Sequence, residues 1–169
     1  MRTILSLTAF TIALTACAGG SQPDTADAAP NDSAFAALQE RGADTQGMGV
    51  DQYASAHVFD DLPDGGRIEF QDTAGDDAAV EQIRAHMQEI AGAFARGDFS
   101  SPGFVHGMDE VPGTGVMAAR RDVIEYEYSP LERGGAVTMR TSDSAALAAI
   151  HEFLAFQRMD HRAEGHHMH

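Results

Sequence analysis

The sequence contains no lysine, and this absence bears first on its possible partners. Its 11 basic residues are all arginine and are scattered along a chain of 169 residues with a formal net charge of −15. Proteins that bind nucleic acid or anionic lipid by charge normally present a basic patch or stripe. We therefore expect no nucleic-acid partner, and the simplest role of the acidic surface is solubility.

The sequence also contains only one cysteine, Cys17. An internal disulfide is therefore impossible, and the folded part must be held together by its core. The length leaves room for one domain together with targeting and tether segments.

Several catalytic signatures are missing as well. His151-Glu152 begins like a zinc-protease helix, but position 155 is alanine instead of the second histidine. The sequence also has no Gly-x-Ser-x-Gly elbow, no phosphate-binding loop and no dinucleotide fingerprint. An enzyme is therefore the less favoured interpretation.

The first 16 residues have the pattern of an export signal. Arg2 is followed by the apolar segment Ile4–Leu14, which is too short to span a bilayer. The segment ends in Leu14-Thr15-Ala16-Cys17, which resembles the lipobox of bacterial lipoproteins. That resemblance implies cleavage before Cys17 and a diacylglycerol on its thiol, and several acyl chains anchor a protein stably. The alternative is an ordinary secretory signal with an incidental cysteine.

The position after the cysteine is Ala18 and not aspartate, which by analogy with lipoproteins implies the outer membrane, facing the periplasm. Residues 17–45 are then predicted to form a lipidated flexible tether, because Ala, Asp, Pro, Gly and Ser dominate residues 18–33. A short helix over Ala34–Glu40 is the one element expected there. A globular domain over residues 46–162 and a His-rich tail over 163–169 complete the chain.

An internal repeat predicts the fold of the domain. Leu62–Phe70 and Leu131–Met139 each carry a Gly-Gly pair between two alternating runs, and an amphipathic helix follows each copy. Gly-Gly between alternating runs is typical of a β-hairpin turn. Two such units predict an α+β fold: a duplicated ββα unit forming a four-stranded, mainly antiparallel sheet with two helices on one face. The Gly- and Pro-rich residues 101–115 are expected to form a long connection without structure of its own.

Aligning the two copies places three histidines opposite aromatic residues. His57 aligns with Tyr126, His86 with Phe153 and His161 with Phe94. These histidines should therefore border the interface between sheet and helices. His57 and His86 lie at similar distances along the strand and the helix, so we expect that they can meet.

Histidine and methionine suggest the chemistry, since the sequence contains eight of each. Imidazole binds copper, zinc and nickel, and thioether favours Cu(I). A copper site of His57, His86 and His106, with Met108 or Met117 as a soft ligand, is the leading prediction, with zinc or nickel as the other metals. The alternative is that the core histidines are hydrogen-bonded structural residues.

The C-terminal segment is a second candidate for metal binding. It contributes His161, His166, His167 and His169 in a short His-rich tract. Such tracts bind Cu(II), Ni(II) or Zn(II), either adventitiously or as a function.

A broader pattern resembles small bacterial proteins of unknown function and would cover about residues 48–162. This resemblance implies a self-contained domain but no activity. It rests on the following segments: Met48-Gly49-Val50-Asp51-Gln52, His57, Gly65-Gly66, Ile83-Arg84-Ala85-His86, Gly97-Asp98-Phe99, Pro112-Gly113, Met117 and Ile150-His151-Glu152-Phe153-Leu154-Ala155-Phe156-Gln157.

The sequence therefore predicts an envelope lipoprotein that binds a transition metal, copper first, for buffering, delivery or sensing. A metal-free, membrane-tethered adapter that docks another envelope protein is the alternative.

Overall fold

A computed structural model describes residues 32–163. The predicted signal segment, the lipidation site Cys17, most of the predicted tether and the histidines at 166, 167 and 169 lie outside the described residues. None of the helices in residues 32–163 combines the length and the apolarity needed to cross a membrane.

Four antiparallel strands form a single sheet. The strands are β1 (Ser55–Leu62), β2 (Gly65–Asp72), β3 (Glu125–Leu131) and β4 (Gly134–Arg140), in the order β1-β2-β4-β3. The second strands of the two hairpins are thus the central pair. The predicted α+β fold with two hairpins in a four-stranded sheet is confirmed.

The Gly-Gly pairs do not form the turns, contrary to the sequence prediction. Both pairs open the second strand of their hairpin, where β2 and β4 approach each other closely. A Cβ atom on Gly65 would lie 1.8 Å from the Met139 carbonyl oxygen, and one on Gly134 would lie 2.0 Å from that of Phe70. The glycines are therefore required by the close approach of the central strands.

Five α-helices accompany the sheet in residues 32–163: α1 (Asp32–Ala43), α2 (Asp77–Ala95), α3 (Ser100–His106), α4 (Thr114–Ala119) and α5 (Ser144–Asp160). The 3-10 turns Gln52–Ala54 and Arg121–Val123 precede β1 and β3. The side chains of Asp76 and Asp143 cap α2 and α5.

The two long helices pack on the same face of the sheet, and each lies over the hairpin of the other repeat. A Cβ atom on Gly66 in the first hairpin would lie 2.3 Å from Leu154 on α5. A Cβ atom on Gly135 in the second hairpin would lie 3.1 Å from Met87 on α2. This exchange ties the two repeats into one core, with Phe70 and Val137 fully buried at its centre.

Two local predictions differ from the structure. Residues 101–115 contain α3 and the start of α4 instead of a bare connection, because a proline is compatible with the first turn of α3 and Gly107 ends that helix at φ +64°. The first helix is longer than predicted and is packed: Leu38 is 2% exposed, and Arg41 Nε donates to the Val105 carbonyl at 2.7 Å.

Candidate functional site

Four histidines from four different segments line one cavity of about 70 Å³ between the sheet and the helices. His57 lies on β1, His86 on α2, His106 ends α3 and His161 directly follows α5. The rest of the wall is mostly apolar, and Met48 and Gln157 also contribute to it. The sequence alignment of the repeats had placed three of these histidines at this interface.

The pleat of the sheet turns His57 into the cavity. His57 pairs with Phe70 across the β1–β2 hairpin, and the two rings stack with centroids 4.1 Å apart at 15°. Phe59, two residues further along the same face, also stacks with His57, with ring centroids 5.8 Å apart. The imidazole of His57 is thereby held in a hydrophobic stack, facing the helices.

His161 lies between two other histidines of the cavity. Its ring centroid is 4.8 Å from that of His57 and 5.1 Å from that of His106. Two imidazoles that share a tetrahedral metal through bonds of about 2 Å have centroids about 5 Å apart. The spacing of each of these two pairs is therefore that of two histidines able to share an ion.

His106 is oriented by two residues of α5. Its Nδ1 lies 2.5 Å from Asp160 Oδ2, and its Nε2 lies 3.0 Å from Gln157 Oε1. A carboxylate on one ring nitrogen is the usual outer partner of a metal-bound histidine, because it fixes the tautomer and raises the basicity of the other nitrogen. Gln157 occupies that second nitrogen, so an ion at His106 would have to displace its amide.

Met48 is the site residue that the sequence analysis missed. Its Sδ lies 3.2 Å from His57 Nε2, and the residue is 8% exposed. The glycines on both sides fix its position: a Cβ on Gly47 would lie 2.3 Å from the Arg41 carbonyl oxygen, and Gly49 has φ +71°. The signal in the sequence was the triplet Gly47-Met48-Gly49, which predicts a tight turn but not its neighbours.

Three histidine rings of the cavity, those of His57, His86 and His161, are uncharged at neutral pH. Burial, with smaller contributions from His86 and His106, lowers the pKa of His57 to about 3. Burial also lowers the pKa of His86 to about 4. The pKa of His161 is held well below its usual range by burial and then by His57 and His106, while Asp160 opposes the shift. Neutral imidazoles offer a lone pair, which is the form that binds metal.

Two buried polar atoms of the cavity wall have no hydrogen-bond partner among the described residues: His161 Nδ1 and Gln157 Nε2. Buried polar atoms are normally satisfied, and an exception requires an explanation such as an ion or a functional role. The unpartnered nitrogen of His161 belongs to the ring that lies between His57 and His106.

The other residues considered in the sequence analysis lie elsewhere. Met108 is 39% exposed and Met117 is fully buried in the core, and neither lines the cavity. The Nε2 of His151 lies 3.0 Å and 2.9 Å from the carbonyl oxygens of Leu62 and Gly65, so His151 serves the first hairpin.

The cavity residues do not form a finished metal site as they stand. Within residues 32–163, no group of three or more His, Cys, Asp or Glu side chains is arranged to hold an ion. The contacts explain this arrangement, because His57 directs Nε2 at Met48 and both nitrogens of His106 face Asp160 and Gln157.

Two surface grooves share walls with the cavity. One of about 420 Å³ includes Met48, His86 and Ser101, all of which also line the cavity. The other, of about 240 Å³, includes His57 and His161. Solvent-borne ligands thus have two short approaches to the histidines.

Comparison with known proteins returns no match: no family model fits the chain, and no curated protein or solved structure is significantly similar to it.

Proposed function

We propose that this protein binds a transition metal, copper first, in the four-histidine cavity, with His57, His86, His106 and His161 as candidate ligands. One observation carries the proposal: His57, His161 and His106 have ring centroids 4.8 and 5.1 Å apart, and the middle ring has a buried nitrogen without a partner among the described residues. Zinc and nickel, which imidazole also binds, are the competing metals.

Binding requires side-chain movements at two of the rings. The ring of His57 must present a lone pair, and the Gln157 amide must leave His106 Nε2. Each of the four rings is supplied by a separate segment of the fold. A site that assembles around its ion in this way suits exchange, so the proposed role is buffering, delivery or sensing of metal.

The proposed location is the cell envelope. The Leu14-Thr15-Ala16-Cys17 segment supports a lipid anchor in the outer membrane, which would hold the domain in the periplasm. Replacing Cys17 with serine should move the protein from the membrane fraction to the soluble fraction and abolish labelling by a radioactive fatty acid. Persistence of both would remove the anchor from the proposal.

The repeat alignment supplies the test variant for metal binding. This aromatic variant carries His57→Tyr, His86→Phe and His161→Phe, which copy the aromatic rings at the aligned positions of the other copy. The full chain with Cys17→Ser is the parent, because a free thiol would itself bind Cu(I). Both proteins also carry alanine at His166, His167, Met168 and His169, so that the tail cannot contribute.

We expect the parent to bind one equivalent of Cu(I), Cu(II) or Zn(II), measured by competition with chromogenic chelators. The aromatic variant should bind at least about 100-fold more weakly, which corresponds to about 2.7 kcal/mol. Equal affinity in the two proteins, or no binding by the parent, would overturn the proposal and leave the adapter interpretation.

The large apolar side chains that are exposed within residues 32–163 do not favour an adapter, because they lie on five separate segments. They are Tyr53, Met108, Val116, Val123 and Met159.

A further inference from the structure

Met48 joins the proposed metal site to the solvent. It lines both the cavity and the groove of about 420 Å³. Its Sδ lies 3.2 Å from His57 Nε2. Methionine has no hydrogen to donate, so this contact requires a proton on His57 Nε2 and leaves the lone pair of the neutral ring on Nδ1.

The geometry of this pair is close to that of two metal ligands. Bonds of about 2.0 Å to nitrogen and about 2.3 Å to sulfur at a tetrahedral angle place the two ligand atoms about 3.5 Å apart. An ion can therefore replace the Nε2 proton if the sulfur moves by a few tenths of an ångström. The proton moves from Nε2 to Nδ1 through solvent, so the imidazole of His57 is neutral both before and after the ion binds.

The backbone around Met48 fixes this arrangement. The amide of Met48 donates to the Gly42 carbonyl at 2.7 Å, and Gly47 packs against the end of α1 without room for a side chain. The sulfur is thus presented to His57 by a tight turn anchored on a helix. A residue that only filled space would need no such fixed backbone.

We infer that Met48 is the thioether ligand that makes the proposed site selective for Cu(I) over Zn(II), and that copper enters past it from the neighbouring groove. This inference rests on the proposed function. Thioether sulfur is a soft ligand that favours Cu(I), whereas Zn(II) is satisfied by imidazole nitrogen. The three histidines with close ring spacing would hold either ion, and the sulfur would discriminate between them.

The chain offers a matched control for the test. Met87 also lines the cavity and is 3% exposed, whereas the sulfur–histidine contact seen within residues 32–163 is that of Met48. Met48→Leu and Met87→Leu each conserve volume, so both variants should fold. Both are made in the parent described above, with Cys17 and the tail ligands replaced, and circular dichroism and thermal unfolding confirm folding.

The measurements are Cu(I) and Zn(II) affinity and X-ray absorption of the Cu(I) form. Met48→Leu should lower Cu(I) affinity at least about tenfold, leave Zn(II) affinity within about twofold, and remove the Cu–S scattering. Met87→Leu should change none of these three quantities.

Unchanged Cu(I) affinity with retained Cu–S scattering in Met48→Leu would overturn the inference and leave the metal site intact. An equal loss of Cu(I) and Zn(II) affinity would also overturn it, because Met48 would then act only on the shape of the site. A parent that binds neither ion would overturn the proposed function itself.

Discussion

The duplicated fold carries two sets of three rings at equivalent positions, and the two sets serve different purposes. In the aromatic set, Phe94 on α2 lies 6.1 Å from Tyr126 on β3 and 6.0 Å from Phe153 on α5. At the equivalent positions, the histidine set has His161, His57 and His86. The His161–His57 pair, the counterpart of Phe94–Tyr126, is 4.8 Å apart. Three aromatic rings thus correspond to three imidazoles.

The difference shows how a duplicated domain can separate stability from chemistry. Phe94 and Phe153 of the aromatic set are each 1% exposed, and Phe99 stacks on Phe94 at 4.4 Å. The two phenylalanines form part of the apolar wall of the cavity. The histidine set has planar rings at the same positions, and its members line both the cavity and the two surface grooves beside it. Planar rings replace one another with little change in the frame, so one set keeps the core while the other becomes polar.

Even the aromatic set shows the cost of a polar atom at this interface. The hydroxyl of Tyr126 is buried without a hydrogen-bond partner among the described residues, and burial raises the pKa of that hydroxyl. The histidine set has such an atom in His161 Nδ1, and imidazole is more polar than a phenyl ring. We therefore expect the histidine set to contribute less to the free energy of unfolding.

Alanine substitution at the equivalent positions Phe153 and His86 is the largest test of this comparison. Phe153→Ala should lower the free energy of unfolding by about 3–5 kcal/mol, because it removes a ring that is only 1% exposed from the core. His86→Ala removes a half-buried ring and should cost about 1 kcal/mol or less. Urea unfolding at pH 7.5 without metal measures both values. Comparable losses would show that the histidine set supports the core as much as the aromatic set does.

Acid should destabilise the histidine set first. His57, His86 and His161 have lowered pKa values in the fold and ordinary values near 6.5 in the unfolded chain. Below pH 6.5 the unfolded chain binds protons that the folded chain does not bind, so stability falls as pH falls. We expect a loss on the order of 2 kcal/mol for each of these histidines between pH 7 and pH 5, measured by urea unfolding without metal. Asp160, which faces His161 and His106, opposes part of this loss.

The aromatic variant, in which His57→Tyr, His86→Phe and His161→Phe remove these imidazoles, is the control, and its stability should be almost constant over the same range. The carboxylates with lowered pKa values do not change the stability between pH 7 and pH 5. Arg133 lowers the pKa of Asp72, and the Ala146 amide lowers that of Asp143, so their contributions are present above about pH 3.9 and lost only at lower pH. A steep loss between pH 7 and pH 5 in the aromatic variant would place its origin outside the histidine cluster.

The fold could be predicted because its signals are local and periodic. The alternating runs around the Gly-Gly pairs predicted the strands, and the amphipathic segments that follow them predicted α2 and α5. The role of the Gly-Gly pairs could not be predicted, since it depends on how closely β2 and β4 approach. Likewise, α3 is one short helix whose sequence lacks a clear period.

The candidate site was predicted only in part, for the same reason. The repeat alignment placed His57, His86 and His161 at the interface because a symmetric fold carries equivalent residues to equivalent places. Met48 belongs to an irregular turn, which has no counterpart to align. The loop methionines Met108 and Met117 were chosen for proximity in sequence to His106, but the end of α3 turns that histidine away from them and toward Asp160 on α5.

The hydrogen bonds from the two long helices to the hairpins give the smallest and most direct comparison of the two repeats. Arg84 on α2 donates to the carbonyls of Leu131 at 2.8 Å, Glu132 at 3.0 Å and Gly134 at 3.3 Å in the second hairpin. His151, at the equivalent position of α5, donates from Nε2 to the carbonyls of Leu62 and Gly65 in the first hairpin. These two carbonyls are the equivalents of those of Leu131 and Gly134. Each helix therefore fastens the turn of the opposite repeat.

A charged side chain that donates to three carbonyls should stabilise the fold more than a neutral side chain that donates to two. We expect Arg84→Ala to cost about 2 kcal/mol and His151→Ala about 1 kcal/mol in urea unfolding at pH 7.5. Arg84→His gives both repeats a histidine at this helix position and should recover roughly half of the loss, with faster amide exchange confined to the second hairpin. If Arg84→His were as unstable as Arg84→Ala, the two contacts would not be equivalent. The second hairpin would then depend on the length and charge of arginine and not on a donor at that helix position.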